Sequence, residues 1–556
     1  LNTTLRGGAE GGRSTQVFTG LGEVARNNWV LTATALALLG GAVFGPMLGD
    51  FFWLDDLTWL YAIQSTPPGH QRLLAAFLPP FPVRPVAFLT FGLLVPLCGC
   101  EPAGYRAVSL GLHIINGLLV YAFARRLLGD RRPALAATLI WFVYPAHRWA
   151  VLWIADLAGL LLTAFALTSL LLFWRALEAP SGTARRLYYG LALATFVLAL
   201  LSKESSPTLA FLFPALAWMA QPALRAPGKT GDGGRQTRED ERGKLIHLPS
   251  SVGRFAPVLP VFVLTGLYLV MQGLAYQTRP GAEGYALLSP QRTAGNLSKA
   301  LIFLVNPFIP FNLLNTMHVG AAVALASAVA VVGGLAVGRW GRREGWFLSA
   351  WVVLTLLPVA LAAGFLAPFR GRYLYLVSIG YILLLTWLIW PIVRRSSSIM
   401  SRPPTAMRPL AAGALALLLL GLAAFNISQQ SIVRDDPINA LRRWTWGGIM
   451  GCPATEAMRA RERSWEGADF RRAAQGFDQL ALQTQLTAID VLSRGLAYEL
   501  AGDPAHAAAD YRAGLALVPP TGFDSRSVSG GYYAPYERIA SYVQTRLDAL
   551  ERTEDR

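Results

Sequence analysis

Apolar runs of about 14–22 residues recur along this chain, separated by short charged stretches. A bilayer's hydrocarbon core takes roughly 20 helical residues to cross. The pattern therefore predicts membrane-spanning helices at about 29–48, 105–126, 133–148, 155–176, 188–201, 205–222, 255–275, 319–338, 346–366, 374–394 and 409–426. The connecting segments form two alternating sets. One holds "RRLLGDRR" (125–132), "RALEAPSGTARR" (175–186), 223–254, "GRWGRRE" (338–344) and "RRSSSIMSRPPTAMR" (394–408), all rich in Arg or Lys, and the positive-inside rule places it in the cytoplasm. The other comprises 49–104, "YPAHRWAVLWIAD" (144–156), "SKESS" (202–206), 276–318 and "APFRGRYLYL" (367–376), which carry fewer basic residues. A cytoplasmic leader (1–28), a membrane domain (29–428) of eleven crossings and an extracytoplasmic C-terminal part (429–556) follow from that parity. The run "NLSKALIFLVNPFIP" (296–310) is expected to lie in the interface, since a twelfth crossing would turn "GRWGRRE" outward. The Gly-rich, charged stretch 223–254 has no period and reads as a cytoplasmic linker.

Composition agrees. The 556 residues are 53% hydrophobic and 15% charged, against about 25% charged in a soluble protein. The net charge of +16 is carried between the predicted spans, which argues against nucleic-acid binding. Run 29–48 reads as a signal anchor after a polar leader, with a cleaved signal as the alternative. Three cysteines exclude a disulfide framework. Cys98 and Cys100 are too close in sequence to bridge easily, Cys452 stands apart, and three ordinary thiols are expected.

From about Asp435 the apolar runs stop. The stretch 488–519, "AIDVLSRGLAYELAGDPAHAAADYRAGLALVP", has Gly495, Tyr498, Ala507, Tyr511 and Pro519 at tetratricopeptide-repeat spacing. Small Gly495 and Ala507 would let two antiparallel helices approach, with the tyrosines filling the space between. Ala473 and Phe477 fall in register one repeat earlier, and helices at 436–465 and 530–552 are expected to cap the stack. Such a stack either binds a partner or packs on its own membrane domain.

Charge near a membrane is costly, yet the non-cytoplasmic side gathers Asp50, Asp55, Asp56, Arg84, His113, His147, Arg148, Asp156, Lys203, Glu204, Arg370 and Arg372. An outward-facing polar cavity accounts for them together. Blander readings compete. Asp50 or Asp56 caps the helix "LTWLYAIQ", Lys203 and Glu204 pair with each other, Arg84 anchors at the interface, and His147 and Arg148 mark headgroup level. No His or Cys spacing suggests zinc, and no Gly-rich loop suggests nucleotide phosphates.

In order along the chain, "WLDD", "RPVAFLTF", "GYRAVSLGLHIINGLLVY", "YPAHRWAVLWIADLAGLL", "LLSKES" and "RGRYLYLVSIGY" resemble the GT-C glycosyltransferases. The branch most similar is the protein O-mannosyltransferase-like one, whose membrane part precedes tetratricopeptide repeats. The resemblance covers about 29–394 and the repeat tail. Two departures stand out: the tail is short beside the repeat arrays of animal members, and "YPAHRWAV" replaces their His-Pro start, leaving His147 without a carried-over role.

The resemblance implies an all-α GT-C-like bundle and transfer of a sugar from a polyprenyl-phosphate donor to a hydroxyl of a protein, lipid or glycan on the extracytoplasmic face. It makes Asp55 the general base with Asp56 beside it, and Lys203, Arg372, Arg84 and Arg148 the cations for the donor phosphate. Asp156, Glu204, His147, His113, Tyr373 and Tyr375 are candidates for sugar or acceptor binding. No cofactor is required, and a divalent cation between Asp55 and Asp56 is left open. The repeats are candidates to hold the acceptor. Composition favours a bacterial inner membrane. The alternatives are an O-antigen ligase- or polymerase-like enzyme, a transporter, and a non-catalytic membrane-anchored repeat scaffold.

Overall fold

The computed structural model describes residues 29–53, 56–77, 84–225, 256–277, 290–309, 319–340, 342–361, 371–396, 407–434, 437–455, 467–520, 523–524, 533–534 and 536–554. The protein is an all-α membrane helix bundle. Among the described residues the one β feature is a two-residue antiparallel ladder, β1 (Phe523–Asp524) with β2 (Tyr533–Ala534).

The helices in chain order are α1 (Trp29–Met47), α2 (Asp56–Gln64), α3 (His70–Ala75), α4 (Pro85–Cys98), α5 (Pro102–Leu128), α6 (Arg131–Phe142), α7 (His147–Leu152) and α8 (Leu157–Glu178). Then come α9 (Gly182–Leu200), α10 (Leu212–Arg225), α11 (Leu259–Gln277), α12 (Pro290–Val305), α13 (Val319–Trp340), α14 (Arg343–Leu361), α15 (Val377–Ser396) and α16 (Met407–Arg434). The C-terminal part holds α17 (Pro437–Ile449), α18 (Gly467–Ala481), α19 (Ala488–Leu500), α20 (Pro504–Ala516) and α21 (Tyr536–Glu554). Each predicted span overlaps a helix, with residue 255 and residues 362–366 of the predicted spans lying outside the described residues. Among the described residues four are long and apolar enough to cross a membrane unaided: α1, α5, the 154–178 segment containing α8, and α16.

The predicted span 133–148 is shorter in the structure. α6 stops at Phe142 and α7 starts at His147, because Pro145 disfavours helical backbone at Tyr144. Two tight hairpins fix the centre of the bundle. Between α5 and α6, Gly129 takes positive φ, and the Asp130 carboxylate accepts from Arg132 N–H as the N-cap of α6. Between α8 and α9, Ser181 accepts from Ala184 N–H in the same role. α8 lies at the heart of the bundle and buries most of its length.

The C-terminal helices pack as the spacing predicts. An added Cβ at Gly495 would stand 3.1 Å from the Tyr511 ring, Ala507 and Tyr511 are fully buried, and Tyr498 stacks on His506 at 5.0 Å. Thr487 and Asp490 form a capping box at the start of α19. Arg494 joins successive helices by bonding Asp478 and Asp510.

This domain sits on the first loop of the membrane domain. Gly447 lies against Phe51, where an added Cβ would stand 2.4 Å from the ring, while Gly448 packs within the domain on Tyr542 of α21, at 2.3 Å. Arg538 lies over Tyr61 at 4.6 Å, and Cys100 is bonded to Cys452. The expectation of three free thiols is thus corrected. The partners are 352 residues apart, so their proximity depends on the tertiary fold and leaves no local spacing to read. Among the described residues only Cys98 is a free thiol.

Candidate functional site

The first loop is held by buried polar contacts as well as by packing. Arg106, near the start of α5, is fully buried. Its guanidinium donates to the carbonyls of Leu48, Asp50, Phe51 and Leu152 and lies 5.3 Å from the Trp53 ring. A cation surrounded by four carbonyl dipoles is affordable inside a protein and forces the 48–53 backbone to turn inward. Sequence reasoning missed Arg106. Its signal is an arginine in "GYRAVSLGLH" with no acidic residue on the same helix face.

Asp56, also fully buried, begins α2. One carboxylate oxygen accepts from Trp53 N–H at 2.8 Å, and the other accepts from Ala155 N–H at 2.7 Å. It therefore fastens the first loop to the residue preceding Asp156, across 99 positions of sequence. Asp50 is buried too. Asp55 lies outside the described residues.

Four segments then bring charge together. The first turn of α4 is tied to the end of α9 by Val86 N–H donating to the Leu201 carbonyl. That seats Arg84 against Glu204 in a bidentate pair, with both contacts at 2.5 Å. Lys203 turns the other way and pairs with Asp156 at 2.5 Å. In place of the competing reading, in which Lys203 and Glu204 pair with each other, each makes a longer-range pair. Gly159, one turn into α8, makes room for one of them: an added Cβ would stand 3.0 Å from Asp156 Oδ2 and 3.1 Å from Lys203 Nζ.

Arg372 packs its guanidinium on the Trp153 ring at 3.8 Å and donates to the Tyr373 hydroxyl at 3.1 Å. The Arg84 charge feels both Arg372 and Asp156, so the pairs and Arg372 share one locality. Tyr268 of α11 adjoins Arg84 and Glu204. Burial alone would raise the Glu204 carboxyl; the charge and hydrogen bonds of Arg84, with Lys203 behind, together outweigh it and bring it down to about 2.

Arg148, on α7, is only 4% exposed and has no carboxylate partner among the described residues. It lies 5.4 Å from the Trp149 ring, and its Nε and Nη1 meet no acceptor there. Burial lowers its guanidinium to about 10, which leaves it charged at neutral pH. α7 packs against the 371–374 turn that carries Arg372. Asp156 Oδ2 likewise meets no donor among the described residues.

A second polar group lies deeper. His113 Nε2 donates to the Phe142 carbonyl at 3.0 Å, which leaves Nδ1 to accept from Tyr375 Oη at 2.7 Å. Asn116 donates to the same hydroxyl and to the Leu160 carbonyl. His147 Nε2 meets Ser378 Oγ at 2.9 Å, and both histidines lie against the Trp141 ring. All five residues from His113 to Ser378 are buried. Their contacts join α5, α7 and α15 beneath the charged cluster. No group of three metal-ligating side chains occurs among the described residues, and both Asp56 oxygens already accept backbone N–H groups.

No family model matches this chain. Protein O-mannosyl-transferase Tmtc1 of Drosophila melanogaster is 40% identical over 79 residues, which is 14% of this chain and 9% of that protein. Protein O-mannosyl-transferase TMTC1 of Mus musculus is 29% identical over 168 residues, 27% of this chain and 18% of its own length. The Homo sapiens TMTC1 is 29% identical over 197 residues, covering 32% and 21%. The similar stretches thus span about a fifth or less of these relatives.

Proposed function

We propose that the protein is a membrane glycosyltransferase that moves a sugar from a polyprenyl-phosphate donor to a hydroxyl acceptor on the extracytoplasmic side, with a protein as the favoured acceptor. The observation that carries the reading is the convergence of Arg84, Asp156, Lys203, Glu204 and Arg372 from four separate segments. The partial likeness to proteins named as O-mannosyl-transferases supports the same class.

In the proposed reaction the acceptor oxygen forms a bond to the anomeric carbon and gives its proton to the Asp55 carboxylate, the general base. The bond from that carbon to the donor phosphate oxygen breaks, and the phosphate leaves with the electron pair. Its added negative charge needs fixed cations in a site poor in water. Arg84, Lys203, Arg148 and Arg372 are assigned the phosphate, Arg84 and Lys203 while each also answers a carboxylate. The spare Asp156 oxygen is assigned a sugar hydroxyl. Asp56 is a positioning residue, since its oxygens hold the backbone. His113, Asn116 and Tyr375 support the floor of the site.

The Cys100–Cys452 bond favours an oxidising compartment for the first loop and the C-terminal domain, which supports the extracytoplasmic assignment and, with the composition, a bacterial inner membrane. The test is sugar transfer by the purified protein in vesicles supplied with polyprenyl-phosphate sugars. Asp55→Asn is expected to insert and fold normally and to lose transfer. Wild-type transfer by that variant would overturn the reading. Mass spectrometry of surface glycoconjugates with and without the gene would name sugar and acceptor.

A further inference from the structure

A cavity of about 400 Å³ opens in the wall of the bundle where α5, α8 and the start of α1 meet. Leu119, Leu171 and the Trp29 ring form its apolar sides, and Arg125, Arg126 and Arg175 stand at its rim. The cavity is remote from the charged cluster described above. Along both α5 (Arg106 to Arg125) and the α8 segment (Asp156 to Arg175) the two sites are 19 residues apart. At 1.5 Å per residue that is about 28 Å, close to the thickness of a bilayer's hydrocarbon core.

We propose that this cavity binds one anionic phospholipid, in the leaflet opposite the charged cluster, with its phosphate among the three arginines and an acyl chain along the leucine wall. Arg126 already bonds Glu178 and lies over Trp174 at 5.0 Å. Arg125 and Arg175 are exposed and have no ion pair among the described residues; Arg125 only lies over the Tyr121 ring, at 5.9 Å. The residues stand in the last turns of α5 and α8, where basic side chains also serve to offset the helix dipoles. Magnitudes decide whether that role uses them up. Two helix C-termini carry about half a negative charge each, and Glu178 adds one. Against three cations this leaves roughly one positive charge, which matches the single charge of a phosphodiester. The apolar walls decide the source of that phosphate, because free phosphate gains nothing from leucine while an acyl chain gains with every methylene buried. Basic pockets between spans hold lipid headgroups in this way.

This inference rests on the bundle and does not depend on glycosyl transfer. The test is native mass spectrometry of the full-length protein released from nanodiscs of phosphatidylcholine containing increasing phosphatidylglycerol. One tightly retained phosphatidylglycerol per chain is expected. Each headgroup-level cation contributes about 1 kcal/mol to binding anionic lipid, so Arg125→Gln with Arg175→Gln is expected to weaken retention about thirty-fold. The paired control Arg185→Gln with Arg186→Gln, on the adjoining exposed start of α9, should leave retention unchanged, as should millimolar inorganic phosphate. Equal retention by the Arg125/Arg175 variant, an equal loss in the control, or displacement by phosphate would each overturn the proposal.

Discussion

Asp56 carries two backbone N–H groups from different parts of the chain. Leaving a buried donor without a partner costs about 1–3 kcal/mol. Asp56→Ala is therefore expected to lower unfolding stability by about 2–4 kcal/mol, measured by denaturation in mild detergent, and to reduce activity through the loss of folded protein. Asp56→Asn keeps one acceptor oxygen and should lose less. Asp55→Asn should leave the denaturation curve unmoved, which separates the base from the bracket. Glu204 makes a pH prediction. Its folded carboxyl is depressed to about 2, against about 4.3 in an unfolded chain. The Arg84–Glu204 pair thus contributes its full stability above the unfolded value and loses it as pH falls from about 4.3 towards 2. A scan of melting temperature across that window should show a steeper fall for the wild type than for Glu204→Gln. Parallel curves would show that the pair adds nothing.

Between elements, a close meeting that bears on the charged cluster is at Gly159, where α8 gives way to the Asp156–Lys203 pair. Gly to Ala inside a helix normally gains about 1 kcal/mol. Here the new methyl would press within 3.1 Å of both charged groups, so they must shift by a few tenths of an ångström. Gly159→Ala is expected to keep or slightly raise the melting temperature while lowering transfer about tenfold, within the hundredfold that a 1 Å misplacement costs. Loss of stability with no specific loss of activity would contradict it. The helices themselves were legible in sequence because twenty apolar residues in a row announce a helix whatever surrounds them. The end of α6 was not, since Tyr144-Pro145 ends it inside an apolar run. Candidate site residues stood out because charge among apolar residues is costly. Their pairing did not: Arg84 and Glu204 are 120 positions apart, and adjacent Lys203 and Glu204 point to different partners. Arg106 was hidden because its four acceptors are backbone carbonyls, which carry no sequence signature.

At the scale of the whole molecule, the C-terminal helices are fixed to the membrane domain by a seam and a bond. Gly447 lets α17 lie on Phe51 of the first loop while Gly448 seats it on Tyr542 of α21, and the Cys100–Cys452 bridge closes the contact with the first loop. The bonded sulfurs require that the first loop and the C-terminal domain share one side, since no exchange of sides could leave them joined. Parity from the charged loops independently predicts that this side is the outside. The joint expectation has two parts. A protease site inserted at 223–254 and cut should yield two fragments that stay together without reductant and separate with it. A membrane-impermeant reductant added to intact cells should release the bridge, while cysteine substitutions at Arg131 or Arg185, in the Arg-rich loops, should resist impermeant thiol labelling. Typical disulfides contribute about 2–4 kcal/mol, so Cys100→Ser with Cys452→Ser should leave the bundle inserted but make 437–554 more readily released by protease. If the fragments part without reductant, the two domains are not covalently joined. If impermeant label reaches Arg131 or Arg185, the bundle is inverted and the charged cluster faces the cytoplasm, where the proposed reaction has no place.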